Sequence, residues 1–460
     1  MPETTPTEND ITVVGAATSG LFERVTTLLS ELVAIPSLSI PGSDLTVLRD
    51  SAMKVKDTFA TVVSWDSIDI YSAEGGAPAV IARKEPQPGF PTVMLYAHHD
   101  VQPAGNREQW LSDPFDAQVR DGRMYGRGSA DDGAGIVTHF SALSVLVELV
   151  PGGGGLGIVL FVEGEEESGS PTFARLLEQH QDLLRADLIV VADSDNPSPD
   201  IPALTTSLRG VVGVTVSLTT LKSSVHSGLF GGPVPDALTT LVRLLATLHD
   251  KDGNVAVEGL VEDPLVEGII DEASLREEAG LLDGIELWGN GSLARRLWAK
   301  PSLTVTGIDA PATSAASNTL LATAAAKVSL RVPPGMRATA AKAALEDHLR
   351  AACPPGVVMT LEHWEVGEAF ADDVSGDLGA QVEQALRDGF GNDVVRQGLG
   401  GSIPFIAQLQ AVFPHAEIAV TGVEDRESAA HGPNESVDLG MVERAARSEA
   451  LLLVRLASGV

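Results

Sequence analysis

The stretch TVMLYAHHD, residues 92–100, decides how the chain is read. Its first six residues lack the polar alternation of a half-exposed strand, so they suit a strand covered on both faces. The apolar run then stops on His98, His99 and Asp100. Three more runs have the same form. Residues 156–162 (LGIVLFV) lead into Glu163, Glu165, Glu166 and Glu167; residues 188–192 (LIVVA) lead into Asp193 and Asp195; residues 417–421 (EIAVT) lead into Glu424, Asp425 and, further on, His431. Between the runs, residues 134–149 and 171–184 read as helices. Before them, residues 21–33 place Leu21, Val25, Leu28, Leu29 and Leu32 on one helical face, and residues 45–62 repeat that pattern less cleanly. The alternation of strand and helix predicts an α/β fold, a largely parallel sheet sandwiched by helices.

A second unit interrupts this pattern. A strand from Val211, a helix over 236–248, strands over 302–306 and 325–332, a helix over 338–352 and a strand over 357–363 give the order β, α, β, β, α, β. That order predicts a small ferredoxin-like α+β sandwich. The organisation expected is therefore a first part at 1–210, an insertion at 211–368 and a second part at 369–460. The PGGGG at 151–155 precedes a strand and has no Gly-Lys-Ser/Thr after it, so it reads as a connector and not as a phosphate loop.

Composition narrows the function. The 460 residues carry 31 Lys and Arg against 63 Asp and Glu, a formal charge of −32, with 44% apolar residues. Such a surface repels nucleic-acid phosphates and anionic lipid headgroups and attracts divalent cations. Cys353 is the only cysteine, so no internal disulfide forms, which fits a reducing compartment. The opening MPETTPTEND lacks a basic stretch followed by an apolar one, and no run is long enough to span a bilayer. A soluble, cytoplasmic protein is expected.

In parallel sheets ligands bind beyond the carboxyl ends of the strands. Here those ends are almost entirely His, Asp and Glu, joined by Asp131 and Asp132 in the turn-rich GRGSADDG. Crowded carboxylates raise one another's pKa and are costly to desolvate, so a cation is needed to hold them together. Imidazole and carboxylate donors without thiolate suit zinc, cobalt or manganese, and their number suits two ions sharing a carboxylate. Asp193 and Asp195 both qualify as ligands at the third strand end. His99 would point away from its neighbour in an extended segment.

The ordered segments AHHDVQP, YGRGSADD, EGEEESGS, VVADSDN, SSVHSGLFGG, KVSLRVPP, GGSIP and AAHGPNE resemble the zinc aminoacylase, carboxypeptidase G and carnosinase superfamily of co-catalytic metallopeptidases. VQP, the WLSDPF at 110–115 and the HSG…GG block are most similar to its dipeptidase branch. The resemblance implies a dinuclear zinc exopeptidase fold with an inserted lid and dimerisation domain. It implies two divalent ions, zinc first with manganese or cobalt as alternatives: His98 and Asp193 on one, Glu167 and His431 on the other, and Asp131 bridging. Asp100 would support His98, and Glu166 would be the general base. His226 would reach the substrate carbonyl from the partner subunit of a homodimer. Arg331 would clamp the substrate carboxylate, helped by Gly401 and Ser402, and Asn318 would be a polar lid residue. A cis peptide is expected at Asp131–Asp132. Gly133 and Ala134 replace the usual Lys-Gly, Ala97 replaces a glycine, and Thr-Leu-Leu follows Asn318 where Val-Ile-Pro is usual.

The activity implied is hydrolysis of a dipeptide or short amide with a free carboxyl terminus. An N-acyl-amino-acid amidohydrolase would share the same metal and base residues. A non-catalytic metal- or amino-acid-binding relative would be expected to lack some of them, whereas Glu166, Asp131 and both histidines are present. A serine hydrolase built on Ser227 would need a GxSxG elbow that is not there.

Overall fold

The structure, a computed structural model, describes residues 8–40, 42–263, 270–372, 374–401 and 404–459. It divides into two compact units, one of 1–206, 372–397 and 408–460, the other of 207–371 and 398–407.

In the first unit the strands lie in the order Ser67–Tyr71, Ala79–Lys84, Gly157–Glu163, Thr92–His98, Leu188–Asp195, Glu417–Glu424 and Ala203–Leu208. The four apolar runs of the sequence are the parallel heart of this sheet, because Thr92–His98 pairs in parallel with both Gly157–Glu163 and Leu188–Asp195, and Glu417–Glu424 pairs in parallel with Leu188–Asp195. Every residue of Thr92–His98 and Gly157–Glu163 is buried, as strands covered on both faces require. The parallel register ends His98 beside Glu163, so their carboxyl ends share one edge.

Helix Phe22–Val33 turns Val25, Leu28, Leu29, Leu32 and Val33 inward. The helix expected over 45–62 is Leu45–Phe59, started by the Asp44 side chain accepting from the Thr46 amide. Helix Gly133–Leu149 is buried almost all round, which explains its near-uniform apolarity. The helix expected from 171 begins at Phe173, and its regular geometry breaks at His180. Leu439–Ser458 starts on Asp438, whose carboxylate accepts from the Met441 amide. Among the described residues no helix is long and apolar enough to cross a membrane.

The second unit is an antiparallel sheet in the order Ser302–Asp309, Thr323–Val332, Gly210–Thr219, Val358–Gly367. Burial alternates along Thr323–Val332, so one face is dry. Val212, Val214, Val216 and Leu218 join Val328 and Leu330 there, against Leu241 and Leu244 of helix Ala237–Leu245 and Leu345 and Leu349 of helix Ala338–Ala352.

Candidate metal centre

Five side chains from four strand ends and one helix entry converge in the first unit. His98 is the last residue of Thr92–His98, Asp193 lies in Leu188–Asp195, and Glu167 sits in the single turn Glu166–Ser168 after Gly157–Glu163. Asp131 immediately precedes Asp132, whose carboxylate starts helix Gly133–Leu149 by accepting from the Gly135 amide and also accepts from the His98 amide. The Asp131–Asp132 peptide is cis. His431 lies beyond Glu417–Glu424 in a loop where Ala429, His431 and Asn434 all take positive φ. A hydrogen bond from the Gly432 amide to the Ala429 carbonyl closes that loop.

The carboxylate of Asp131 faces two imidazoles, with Oδ1 2.8 Å from His98 Nε2 and Oδ2 2.8 Å from His431 Nε2. Asp193 Oδ1 lies 3.9 Å from His98 Nε2, and Glu167 Oε2 lies 3.1 Å from His431 Nε2. Two three-residue groups result, His98–Asp131–Asp193 and Asp131–Glu167–His431, and within each the donor atoms lie inside 4.8 Å of one another. The ring of His98 fits a cation on chemical grounds. Its Nδ1 is 3.0 Å from the Asp100 carbonyl, an acceptor only, so Nδ1 donates. In a neutral ring Nε2 then carries a lone pair, yet it aims at a carboxylate oxygen. Two acceptors at that distance need a proton or a metal ion between them.

The charges show what fills that role when the proton does. Burial opposes a charged His98, but hydrogen bonds to Asp100 and Asp131 outweigh it and lift the ring well above the ordinary imidazole range. Hydrogen bonds to Asp131 and Glu167 push the more exposed His431 up to about 10. Burial drives Asp193 well above the carboxylate range despite His98, and pushes Glu166 up to about 7 with Asp131, Asp100 and Glu167 adding repulsion. Acids held protonated beside imidazoles held charged are what ligands do when their cation is replaced by protons.

Asp100 meets His98 through two groups: its backbone carbonyl accepts from Nδ1 at 3.0 Å, and its Oδ1 lies 3.4 Å from the same nitrogen. The Asp100 carboxylate also accepts from the amides of Glu166 (3.2 Å) and Glu167 (3.0 Å), fixing the turn that carries both. Asp195 accepts from Gln397 Nε2, outside both groups. Asp425 is occupied by Arg123 through two parallel contacts of 2.7 and 3.0 Å, and His99 donates from Nε2 to the Pro78 carbonyl. Glu163 accepts from the Tyr96 hydroxyl and burial pushes it up to about 8.

Two residues that motif reading quoted without a role support this site. Gln102 donates from its amide nitrogen to Glu167 Oε1 (3.0 Å) and from its side chain to Glu167 Oε2 (3.0 Å) and to the Glu167 carbonyl (2.9 Å). Glu435, fully buried, pairs with the equally buried Arg127 at 2.5 Å and accepts from the amides of Ala130 and Asp131. Both act largely through backbone N–H groups, which a residue pattern does not display; their only signal is position beside His98 and His431 in AHHDVQP and AAHGPNE.

The remaining expected residues belong to the second unit. His226 is exposed on the short Val225–His226 strand, which pairs with Thr319 and Leu320. Its Nδ1 accepts from the Gly228 amide at 3.0 Å, so a neutral ring carries its proton on Nε2. Asn318 is exposed, and its carbonyl accepts from the Ser227 amide. Arg331 sits on Thr323–Val332 between Val211 and Ser302. Gly401 is exposed, and Ser402 lies outside the described residues.

Residues 94–455 match the family model described as peptidase family M20/M25/M40. A cysteinylglycine-S-conjugate dipeptidase of Corynebacterium striatum is 37% identical over 82% of this chain and 84% of its own length. The Beta-Ala-His dipeptidase of Rattus norvegicus is 27% identical over 89% of this chain and 88% of its own. Among solved structures, human carnosine dipeptidase 1 superposes with a TM-score of 0.80 at 23% identity, covering 99% of this chain and 100% of that one. The dipeptidase Dug1p of Saccharomyces cerevisiae superposes with a TM-score of 0.77 at 22% identity, covering 97% and 98%. These two likenesses establish a common fold.

Proposed function

The chain belongs to peptidase family M20/M25/M40, and on that premise we propose that it is a metallodipeptidase of the carnosine and Cys-Gly dipeptidase branch, cleaving the amide bond of dipeptides with a free carboxyl terminus. The observation that carries the reading is the double contact of Asp131, one oxygen on each of two imidazoles at 2.8 Å, with Asp193 and Glu167 completing the two groups. His98, Asp131 and Asp193 would hold one divalent ion, and Asp131, Glu167 and His431 the other, zinc being the first choice for such donors. When bound, the ions supply Lewis acidity to a water molecule and to the scissile carbonyl.

The protein's own groups do the rest. Glu166 is half-buried and placed by its amide's hydrogen bond to Asp100, so its carboxylate can take a proton from the attacking water and return it to the departing amine. His226 offers an Nε2–H to the oxyanion, because Gly228 occupies its Nδ1. Arg331 would present a planar fork suited to the substrate carboxylate, and Gly401, Ser402 and Asn318 are assigned to substrate binding with it on the family pattern. Pairing of two copies through the inserted unit, with His226 serving the partner's site, and residence in the cytoplasm complete the proposal.

Steady-state hydrolysis of Cys-Gly and β-Ala-His, set against N-acetyl amino acids with added zinc, manganese or cobalt, tests the function. Turnover of the dipeptides is expected; turnover confined to the acetylated set would make the chain an amidohydrolase. Glu166→Ala should keep its metal and lose roughly 10²–10⁴-fold in kcat.

A further inference from the structure

We propose that Arg209 is a positioning residue for the substrate carboxylate, holding the Gly400–Gly401 turn in place and lending its charge to the seat that Arg331 forms. The inference rests on the reading of Arg331 given above. Arg209 follows strand Ala203–Leu208 directly and precedes Gly210–Thr219, and it is 8% exposed. Its Nε donates to the Gly400 carbonyl at 3.2 Å, and its Nη1 donates to Ser302 Oγ at 2.9 Å and lies 3.5 Å from the Lys300 carbonyl. Ser302 stands directly opposite Arg331 in the sheet, and Arg331's other cross-strand partner is Val211, two residues after Arg209. Sheet register thus brings the two arginines around one serine.

Gly400 approaches so closely that a Cβ there would come within 2.9 Å of Arg209 Nη2, and a Cβ on Gly398 would meet Trp298 at 2.7 Å. Gly400 of this turn and Gly398 in the strand Val395–Leu399 before it are therefore set by contact with the guanidinium and the indole. A guanidinium resists deprotonation, so a carboxylate bound at the half-buried Arg331 also favours the charge on the buried Arg209. In keeping with this, burial and the neighbouring Arg331 lower Arg209 to about 10. A carboxylate arriving at Arg331 relieves that repulsion and meets a turn whose backbone Arg209 has already fixed. An amide in its place meets the same turn but relieves no repulsion, so it depends less on Arg209.

The test is kinetic, on the full chain loaded with zinc. Arg209→Met and Arg209→Lys are compared with wild type for KM and kcat on Cys-Gly, and for the inhibition constant of Cys-Gly amide as a competitor. Arg209→Met is expected to raise KM about tenfold with kcat within about threefold, and to raise the amide's inhibition constant by less than about threefold. Arg209→Lys keeps charge but loses the fork, and should fall between the two. Equal weakening of dipeptide and amide, or a fall confined to kcat, would overturn the inference. If thermal unfolding shows Arg209→Met to be unfolded, Arg209→Lys decides by the same two readouts. A wild-type chain that hydrolyses no dipeptide would overturn the functional reading and this inference together, whereas an active wild type with unaltered variants would overturn this inference alone.

Discussion

Asp131 spends both carboxylate oxygens on different imidazoles, an arrangement a single carboxylate adopts when it bridges two cations. An amide at the same place keeps the shape but loses the charge and one of the two oxygen donors. Asp131→Asn is therefore expected to lower bound metal from two ions per chain to fewer than one, read by elemental analysis after dialysis. Gln102 makes a finer prediction, because it donates to both oxygens of Glu167 and to nothing on the His98 side. Gln102→Ala should weaken one ion by about 10–100-fold and leave the other unchanged, resolved by competition with a chelator. Residues such as His98 and Glu167 are legible in the sequence because their side chains are the donors that could hold a metal ion and follow an apolar run. Gln102 and Glu435 are not, because they work by aiming another residue's backbone or carboxylate. The part played by the Asp100 carboxylate was hidden for the same reason: its partners are the amides of Glu166 and Glu167.

At the scale of elements, the parallel strands place the acids, and their interiors hold them there. Leu160 is fully buried at the centre of Gly157–Glu163, the strand that leads into Glu166 and Glu167. Leu160→Ala should cost about 2–5 kcal/mol in urea unfolding. Helices Gly133–Leu149 and Leu439–Ser458 are tied by His139, whose Nδ1 is 2.9 Å from Glu449 Oε2 and whose Nε2 is 2.9 Å from the Tyr96 carbonyl. Both partners only accept, so both nitrogens donate and the ring is charged. Burial opposes that charge, but Glu449 outweighs it and raises the pKa above the usual imidazole value. A pKa raised by folding stabilises the native state fully below the unfolded value of about 6.5 and loses that effect as pH climbs through the folded one. The stability of wild type relative to His139→Gln, measured on metal-free protein, should be largest at acid pH and shrink on the alkaline side; a gap that widens with pH would contradict the charged ring. The four parallel strands were readable as unbroken apolar runs. Helix ends were less so, because Phe59 closes its helix and His180 breaks another for reasons of local geometry that periodicity does not carry.

Over the whole molecule, the two units have different physical characters. One is a sheet buried on both faces, and the other a sheet with one dry face under two helices. The β, α, β, β, α, β order made the second unit visible in sequence, and the alternation it needs to leave one face dry is seen in the structure along Thr323–Val332. The proposal that His226 serves a partner's site has its own test. Mixing His226→Ala with Glu166→Ala chains, each inactive alone, should restore part of the activity through hybrid dimers, since one site in each hybrid keeps both groups. No recovery after proven subunit exchange would place His226 in the site of its own chain. Beneath the catalytic predictions lies the proposal that a pair of cations sits around Asp131. Crystals grown with zinc, measured by anomalous scattering above and below its absorption edge, test that most directly. Two peaks flanking the Asp131 carboxylate, one against His98 and Asp193 and one against Glu167 and His431, are predicted; a single peak, or zinc bound elsewhere while these five side chains hold only protons, would contradict the account.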